Sequence, residues 1–75
     1  MKIKQIASNM TELEIPGATV LFSYSTPVAC RTSSCDYYRT EYKWSQTTTR
    51  HINKWLDGVV AETKPQEFFN NLVGA

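Results

Sequence analysis

The first 44 residues alternate between apolar and polar positions with the two-residue period of β-strands. Lys2–Ala7 alternates imperfectly, whereas Met10–Ile15 alternates clearly and carries its glutamates on one side. A third run covers residues 18–31 and is interrupted by Pro27, which cannot donate to a strand ladder and therefore marks an edge or a bulge. The fourth run covers residues 37–44. Short turns separate the runs, so we expect an antiparallel meander of about four strands.

The fourth run indicates which of its side chains face the core. One set of alternate positions is mostly aromatic and is expected to be buried: Tyr38, Thr40, Tyr42 and Trp44. The other set is expected to face solvent: Tyr37, Arg39, Glu41 and Lys43.

From residue 45 onward the period changes to the 3.6 residues of an α-helix. Ser45, Thr47 and Thr48 are all candidate N-caps, because a hydroxyl can accept from the free N–H groups of a first turn. Residues at the spacing of one helical face follow and are expected to contact the sheet: Thr48, His51, Ile52, Trp55 and Leu56. Gly58 is expected to end this helix in a left-handed conformation. We expect Trp44 and Trp55 to be largely buried near Phe22.

A second helix is predicted to start at Thr63, with Gln66 three residues later and Pro65 in its first turn. Its buried stripe would be Phe68, Phe69, Leu72 and Val73. The sequence therefore predicts one α+β domain over residues 1–75, in which a small antiparallel meander precedes two short C-terminal helices packed on the sheet.

The chain is short and nearly neutral. Its 75 residues allow one domain with a small core, and its net charge is +1. Apolar runs of two or three residues are far shorter than the 20 or so that span a bilayer, and no signal-peptide core follows the start. We therefore expect no membrane association and a cytoplasmic location.

The charge is concentrated in the middle of the chain. Residues 31–56 carry five Lys or Arg and two Asp or Glu, a net +3, together with five of the nine aromatic residues. Cations that contact phosphates and rings that stack on bases are typical of nucleic-acid binding. The alternative is a solvated strand and helix face above an ordinary aromatic core.

One arrangement within this segment points to an anion. The run from Thr47 to Arg50 lies at a helix start, where free N–H groups, hydroxyls and a guanidinium can hold a phosphate. Redundant capping with one solvent-facing arginine is the competing interpretation. The candidate nucleic-acid-binding residues are Tyr37, Arg39, Lys43, Thr47, Arg50 and Lys54.

Catalytic, metal and cofactor sites are not expected. Cys30 and Cys35 flank a polar turn, where a disulfide, a metal site and two free thiols are alternatives; free thiols are favoured because a cytoplasmic chain is kept reduced and further ligands are scarce. We therefore expect both cysteines to be replaceable by serine. His51 is the one histidine and is expected to pack on the sheet. The three glycines are isolated, so no phosphate-binding loop is present, and the chain is expected not to be an enzyme.

Two segments carry a resemblance to known proteins. They are Tyr24-Ser25-Thr26-Pro27-Val28-Ala29 and Thr47-Thr48-Thr49-Arg50-His51-Ile52-Asn53-Lys54-Trp55. On these segments the chain resembles a group of small uncharacterised proteins encoded by tailed bacteriophages, over nearly its full length. The turn between Cys30 and Cys35 departs from the group's pattern. The resemblance implies phage origin and expression in a bacterial host, and it implies no known chemistry.

Two functions fit these observations. The first is a non-enzymatic phage accessory protein that binds nucleic acid in the host cytoplasm through a basic and aromatic face. The second is a protein-binding module that inhibits or modulates a host enzyme through an edge strand or a helix face. A complex held by phosphate contacts weakens steeply with added salt, which separates the two.

Overall fold

The computed structural model describes residues 2–74, which form one mixed six-stranded sheet and two α-helices. The elements, in chain order, are β1 (Lys2–Ala7), β2 (Met10–Ile15), β3 (Ala18–Ser23), β4 (Thr26–Thr32), β5 (Tyr37–Thr40), α1 (Gln46–Leu56), β6 (Glu62–Lys64) and α2 (Gln66–Leu72). The strands lie in the order β1-β2-β3-β4-β5-β6. Neighbouring strands from β1 to β5 are antiparallel, and β6 runs parallel to β5. The α+β class and the two helices on a sheet are as expected.

The meander contains five strands because the third predicted run is two strands. A turn at Tyr24 and Ser25 separates β3 from β4, and Tyr24 adopts a left-handed backbone with a φ of 59°. Pro27 lies at a bulge, as predicted: Leu21 pairs with Ala29, the next residue of β3 pairs with Pro27, and Val28 is the extra residue. The bulge lets β4 remain an interior strand although it contains a proline.

The chain between α1 and α2 forms a strand where a helix start was predicted. Glu62, Thr63 and Lys64 pair with β5, so their backbone groups bond to the sheet. Pro65 disfavours helical backbone at Lys64, and α2 therefore begins only at Gln66, with Pro65 in the N-cap position and no side-chain cap. Sheet pairing thus overrides the capping-box spacing.

The two helices cover opposite faces of the sheet. On the face that we call the α1 face, buried side chains from β2, β3, β4 and α1 form one cluster: Met10, Leu21, Val28, Ala29, Ile52 and Leu56. On the α2 face a second cluster is centred on Phe69: Leu13, Val20, Cys30 and Phe69. Successive residues of the central strands therefore enter one core or the other, and neither face of these strands is left entirely to solvent.

The expected burial of the tryptophans is wrong for Trp44. β5 ends at Thr40, so Trp44 lies beyond the strand and its side chain is 45% exposed. Trp55 is half-buried on the α1 face, where its Nε1 donates to Glu12 at 2.7 Å. Phe22 packs in the α2-face cluster, so the sheet separates it from Trp55.

Candidate nucleic-acid interface

The start of α1 fixes the geometry of the basic segment. Ser45 is the N-cap: its backbone is extended and its Oγ accepts from the backbone N–H of Thr48 at 3.2 Å. Thr47 is exposed and does not cap the helix, whereas Thr48 is buried against the sheet. At the other end, Asp57 and Gly58 have left-handed backbones, with φ of 50° and 85°, as predicted for Gly58.

A chain of hydroxyl hydrogen bonds attaches this first turn to β3. Ser45 Oγ donates to Thr48 Oγ1 at 3.3 Å, Thr48 Oγ1 lies 3.1 Å from Ser23 Oγ, and Ser23 Oγ lies 2.8 Å from Nδ1 of His51. Either hydroxyl of the Ser23–Thr48 pair can be the donor, and the direction of the Ser23–His51 bond depends on the imidazole tautomer. His51 therefore packs on the sheet, as predicted, and Cys30 lies on the opposite face.

Lys43 and Arg50, two of the predicted residues, lie in one groove. The groove has a volume of about 630 Å³ and is lined by Lys43, Trp44, Ser45, Gln46, Thr49 and Arg50. Thr47 is exposed but does not line it, and Lys54 is exposed one helical turn beyond Arg50. The groove therefore joins two cations, three hydroxyl- or amide-bearing side chains and one indole ring.

Tyr37 and Arg39 were predicted to face open solvent, and the structure shows that they do not. β5 directs both toward the α1 face, because α1 covers the side of the sheet that was assigned to solvent. The Tyr37 ring meets the Trp55 ring edge-on at 6.2 Å, so it is part of the packing rather than an exposed stacking ring. Arg39 Nη1 donates to Asn53 Oδ1 at 3.1 Å, which holds the guanidinium beside the exposed side of α1.

Three other aromatic rings are exposed, and none of them was among the predicted site residues. Tyr24, Tyr42 and Trp44 are 54%, 56% and 45% exposed. Tyr42 and Trp44 have ring centroids 4.5 Å apart, and Trp44 Nε1 donates to Gln66 Oε1 at 3.1 Å. Tyr24 and Trp44 also line a second cavity of about 220 Å³ beside the groove. The polar cluster around Tyr24 and Ser25 was the available signal for a turn that exposes a ring.

The cysteines differ in environment. Both thiols are free; Cys35 is exposed in the turn and Cys30 is fully buried in the α2-face cluster. Burial raises the pKa of the Cys30 thiol to about 11. A serine at position 30 would bury a hydroxyl in an apolar cluster, so the expectation of a neutral substitution is restricted to Cys35.

Within residues 2–74, no three His, Cys, Asp or Glu side chains are grouped so that they could hold a metal ion. Across the same residues, neither helix is long and apolar enough to cross a membrane.

The groove and its exposed rings define a basic and aromatic surface of a small α+β protein. Residues 1–71 match a family of unknown function, DUF8033, and the chain belongs to this family. No curated protein and no solved structure matches the chain.

Proposed function

We propose that the chain is a small non-enzymatic accessory protein of a tailed bacteriophage that binds nucleic acid in the host cytoplasm. The observation that carries the proposal is the exposed Trp44 ring, which lies in the same groove as the cations Lys43 and Arg50. A ring beside two cations offers stacking to a base and charge to its phosphates. The resemblance of the sequence to phage-encoded proteins motivates the biological setting.

Single-stranded nucleic acid is the form that this surface suits best. The exposed Trp44 ring lines the groove, the Tyr42 ring contacts it, and Tyr24 lines the adjoining cavity. Unpaired bases present the open faces on which such rings stack. The cations are few, and the chain's net charge is +1, which gives little of the non-specific attraction that duplex binding requires. Lys54 is exposed on α1 one turn beyond Arg50, and Arg39 bonds to Asn53 of the same helix, so both add charge along α1.

The test measures binding of labelled single strands of about 16 nucleotides and of a duplex, across a salt series. We expect micromolar binding of DNA or RNA single strands that weakens with salt. Lys43→Gln with Arg50→Gln should weaken binding and reduce the slope of log affinity against log salt by about 1.4, since each single-strand phosphate contact contributes about 0.7. The matched control is Lys2→Gln with Lys4→Gln, which removes the same charge from β1.

The contribution of the ring is tested separately. Trp44→Ala should weaken binding about 5- to 150-fold, the equivalent of one lost stacking contact, whereas Trp44→Phe keeps a ring and should retain most of the affinity. If neither single strands nor duplex bind in a salt-dependent manner at micromolar concentration, or if the Lys43/Arg50 and Lys2/Lys4 double variants have equal effects, the proposal is wrong.

A protein partner is the second candidate function, and the observation that favours it is the open edge of the sheet at β1. The cavity at this edge shares no lining residue with the groove, and its residues favour a different ligand.

A further inference from the structure

The strand β1 is an open edge of the sheet. It pairs with β2 on one side, and its residues from Lys2 to Ile6 are exposed. Among the described residues, 2–74, no strand lies on its other side. The opposite edge, β6, has three residues, whereas β1 has six. An unpaired edge of this length presents a row of backbone donors and acceptors that can pair with an added strand.

On the α1 face this edge carries two lysines that form no ion pair within the described residues. Register pairs Lys2 with Glu14 and Lys4 with Glu12, but within residues 2–74 neither lysine lies within ion-pair distance of a carboxylate. For Lys4 the cause is visible, because the Glu12 carboxylate accepts a hydrogen bond from Trp55 Nε1 at 2.7 Å. Both ammonium groups are thus available to an acid on the open side of β1.

On the α2 face the same edge carries an exposed apolar side chain. Ile3 is 72% exposed and pairs in register with Leu13. Beside it is a cavity of about 150 Å³ lined by Ile3, Thr11, Leu13, Phe22 and Tyr24. An apolar side chain opposite Ile3 would cover this surface, with the cavity giving room for a side chain that reaches beyond Ile3.

We propose that β1 binds an extended protein segment in which acidic and apolar residues alternate, as an added strand of the sheet. Its acids would lie beside Lys2 and Lys4 on the α1 face, and its apolar residue beside Ile3 on the α2 face. The protein contains a precedent for this pairing on the inner side of β1, where Glu12, Leu13 and Glu14 of β2 lie opposite Lys4, Ile3 and Lys2. Because the order acid, apolar, acid is symmetric, a parallel or an antiparallel added strand could present it.

Charge argues against a second copy as the occupant. Antiparallel pairing of two β1 strands would bring Lys2 and Lys4 of both copies onto one face, and like charges across a strand pair are destabilising. An acidic partner removes this repulsion and neutralises the lysines. Lysines on an edge also discourage pairing with unselected strands, so the same residues would give selectivity.

The experiment uses the full chain and a fluorescent peptide of alternating glutamate and leucine. We expect saturable binding, together with increased amide-exchange protection of residues 2–6. A peptide of the same composition with its glutamates and its leucines in separate blocks should not bind. Lys2→Glu with Lys4→Glu should weaken binding by about tenfold or more, and a peptide with lysine in place of glutamate should restore it.

Folding of the variant is checked by circular dichroism, and Lys2→Gln with Lys4→Gln replaces it if the added glutamates unfold the chain. Equal binding of the alternating and block peptides, unchanged affinity of the lysine variant, or protection elsewhere would overturn the proposal. Self-association with protection of residues 2–6 would also overturn it, in favour of a second copy. Lys43→Gln with Arg50→Gln should leave peptide binding unchanged, which separates this result from nucleic-acid binding.

Discussion

The hydroxyl chain between β3 and α1 provides a quantitative test of the fold. We consider Ser23→Ala, Thr48→Val and the double variant. Ser23 and Thr48 are 2% and 6% exposed and bond to each other at 3.1 Å, so each substitution removes a buried partner from the other.

The magnitude follows from which partners remain. In Ser23→Ala, Thr48 keeps Ser45 as a partner and half-buried His51 is within reach of water, so the loss is near that of one hydrogen bond, about 1–2 kcal/mol. In Thr48→Val, Ser23 keeps His51 and the helix keeps its cap to the Thr48 N–H, so we expect about 1 kcal/mol. The double variant removes both hydroxyls, so neither remains as a buried group that has lost its partner. Its cost should therefore be about 0.5–1.5 kcal/mol less than the sum of the single costs.

The assay is urea denaturation followed by far-ultraviolet circular dichroism, with the denaturant slope required to match across the four proteins. Additivity of the two substitutions within about 0.3 kcal/mol would refute the argument, because two residues without contact behave in this way. Ser25→Ala, in the exposed turn after β3, is the matched control and should change stability little.

The remaining predictions concern the α2-face core and the two cysteines. Phe69→Ala should unfold the chain or nearly so, since truncating a fully buried phenylalanine costs about 3–5 kcal/mol and a domain of this size has little more to lose; a cooperative, near-parental melt would contradict the assigned core. At neutral pH a thiol reagent should label Cys35 rapidly and Cys30 only after unfolding. Because burial raises the pKa of the Cys30 thiol from 9.0 to about 11, the unfolded chain loses this proton first as the pH rises, and the free energy of unfolding should fall by roughly 2 kcal/mol between pH 9 and 11. Denaturation of Cys30→Ala over the same pH range should lack this part of the decline.

Periodicity predicted the elements that are long and one-sided. β2 and α1 alternate or repeat over 6 and 11 residues, and both are present near their expected bounds. The turn at Tyr24 was missed because apolar residues continue at strand spacing on both sides of it. β6 was missed because Glu62–Lys64 has no apolar pattern, and its conformation depends on pairing with β5, which is more than 20 residues away along the chain. Such pairing is a tertiary effect that local sequence does not encode.

The cations of the candidate groove could be predicted from the sequence, whereas the environments of its aromatic residues could not. Lys43 and Arg50 line one groove because they flank the helix start, which is visible in the sequence. Tyr37 and Trp44 were assigned to the wrong environments because alternation was interpreted as one buried and one solvated face. A helix covers each face of this sheet, so the side of β5 that carries Tyr37 is packed. Trp44 continues the alternation past Thr40, but no strand pairs with it there.

The exposure of Trp44 is maintained by specific contacts rather than by loose packing. Gln66 accepts from Trp44 Nε1 through Oε1, and the same oxygen accepts from Thr40 Oγ1 at 2.8 Å while Nε2 donates to the Pro27 carbonyl at 2.7 Å. One half-buried amide thus ties the indole to β4, β5 and the start of α2. A domain of 75 residues gains stability from every ring that it buries, at about 25 cal/mol per Å² of apolar surface. An exposed indole forgoes this stabilisation. A ring already fixed in position loses little entropy when it stacks on a ligand, and this favours binding.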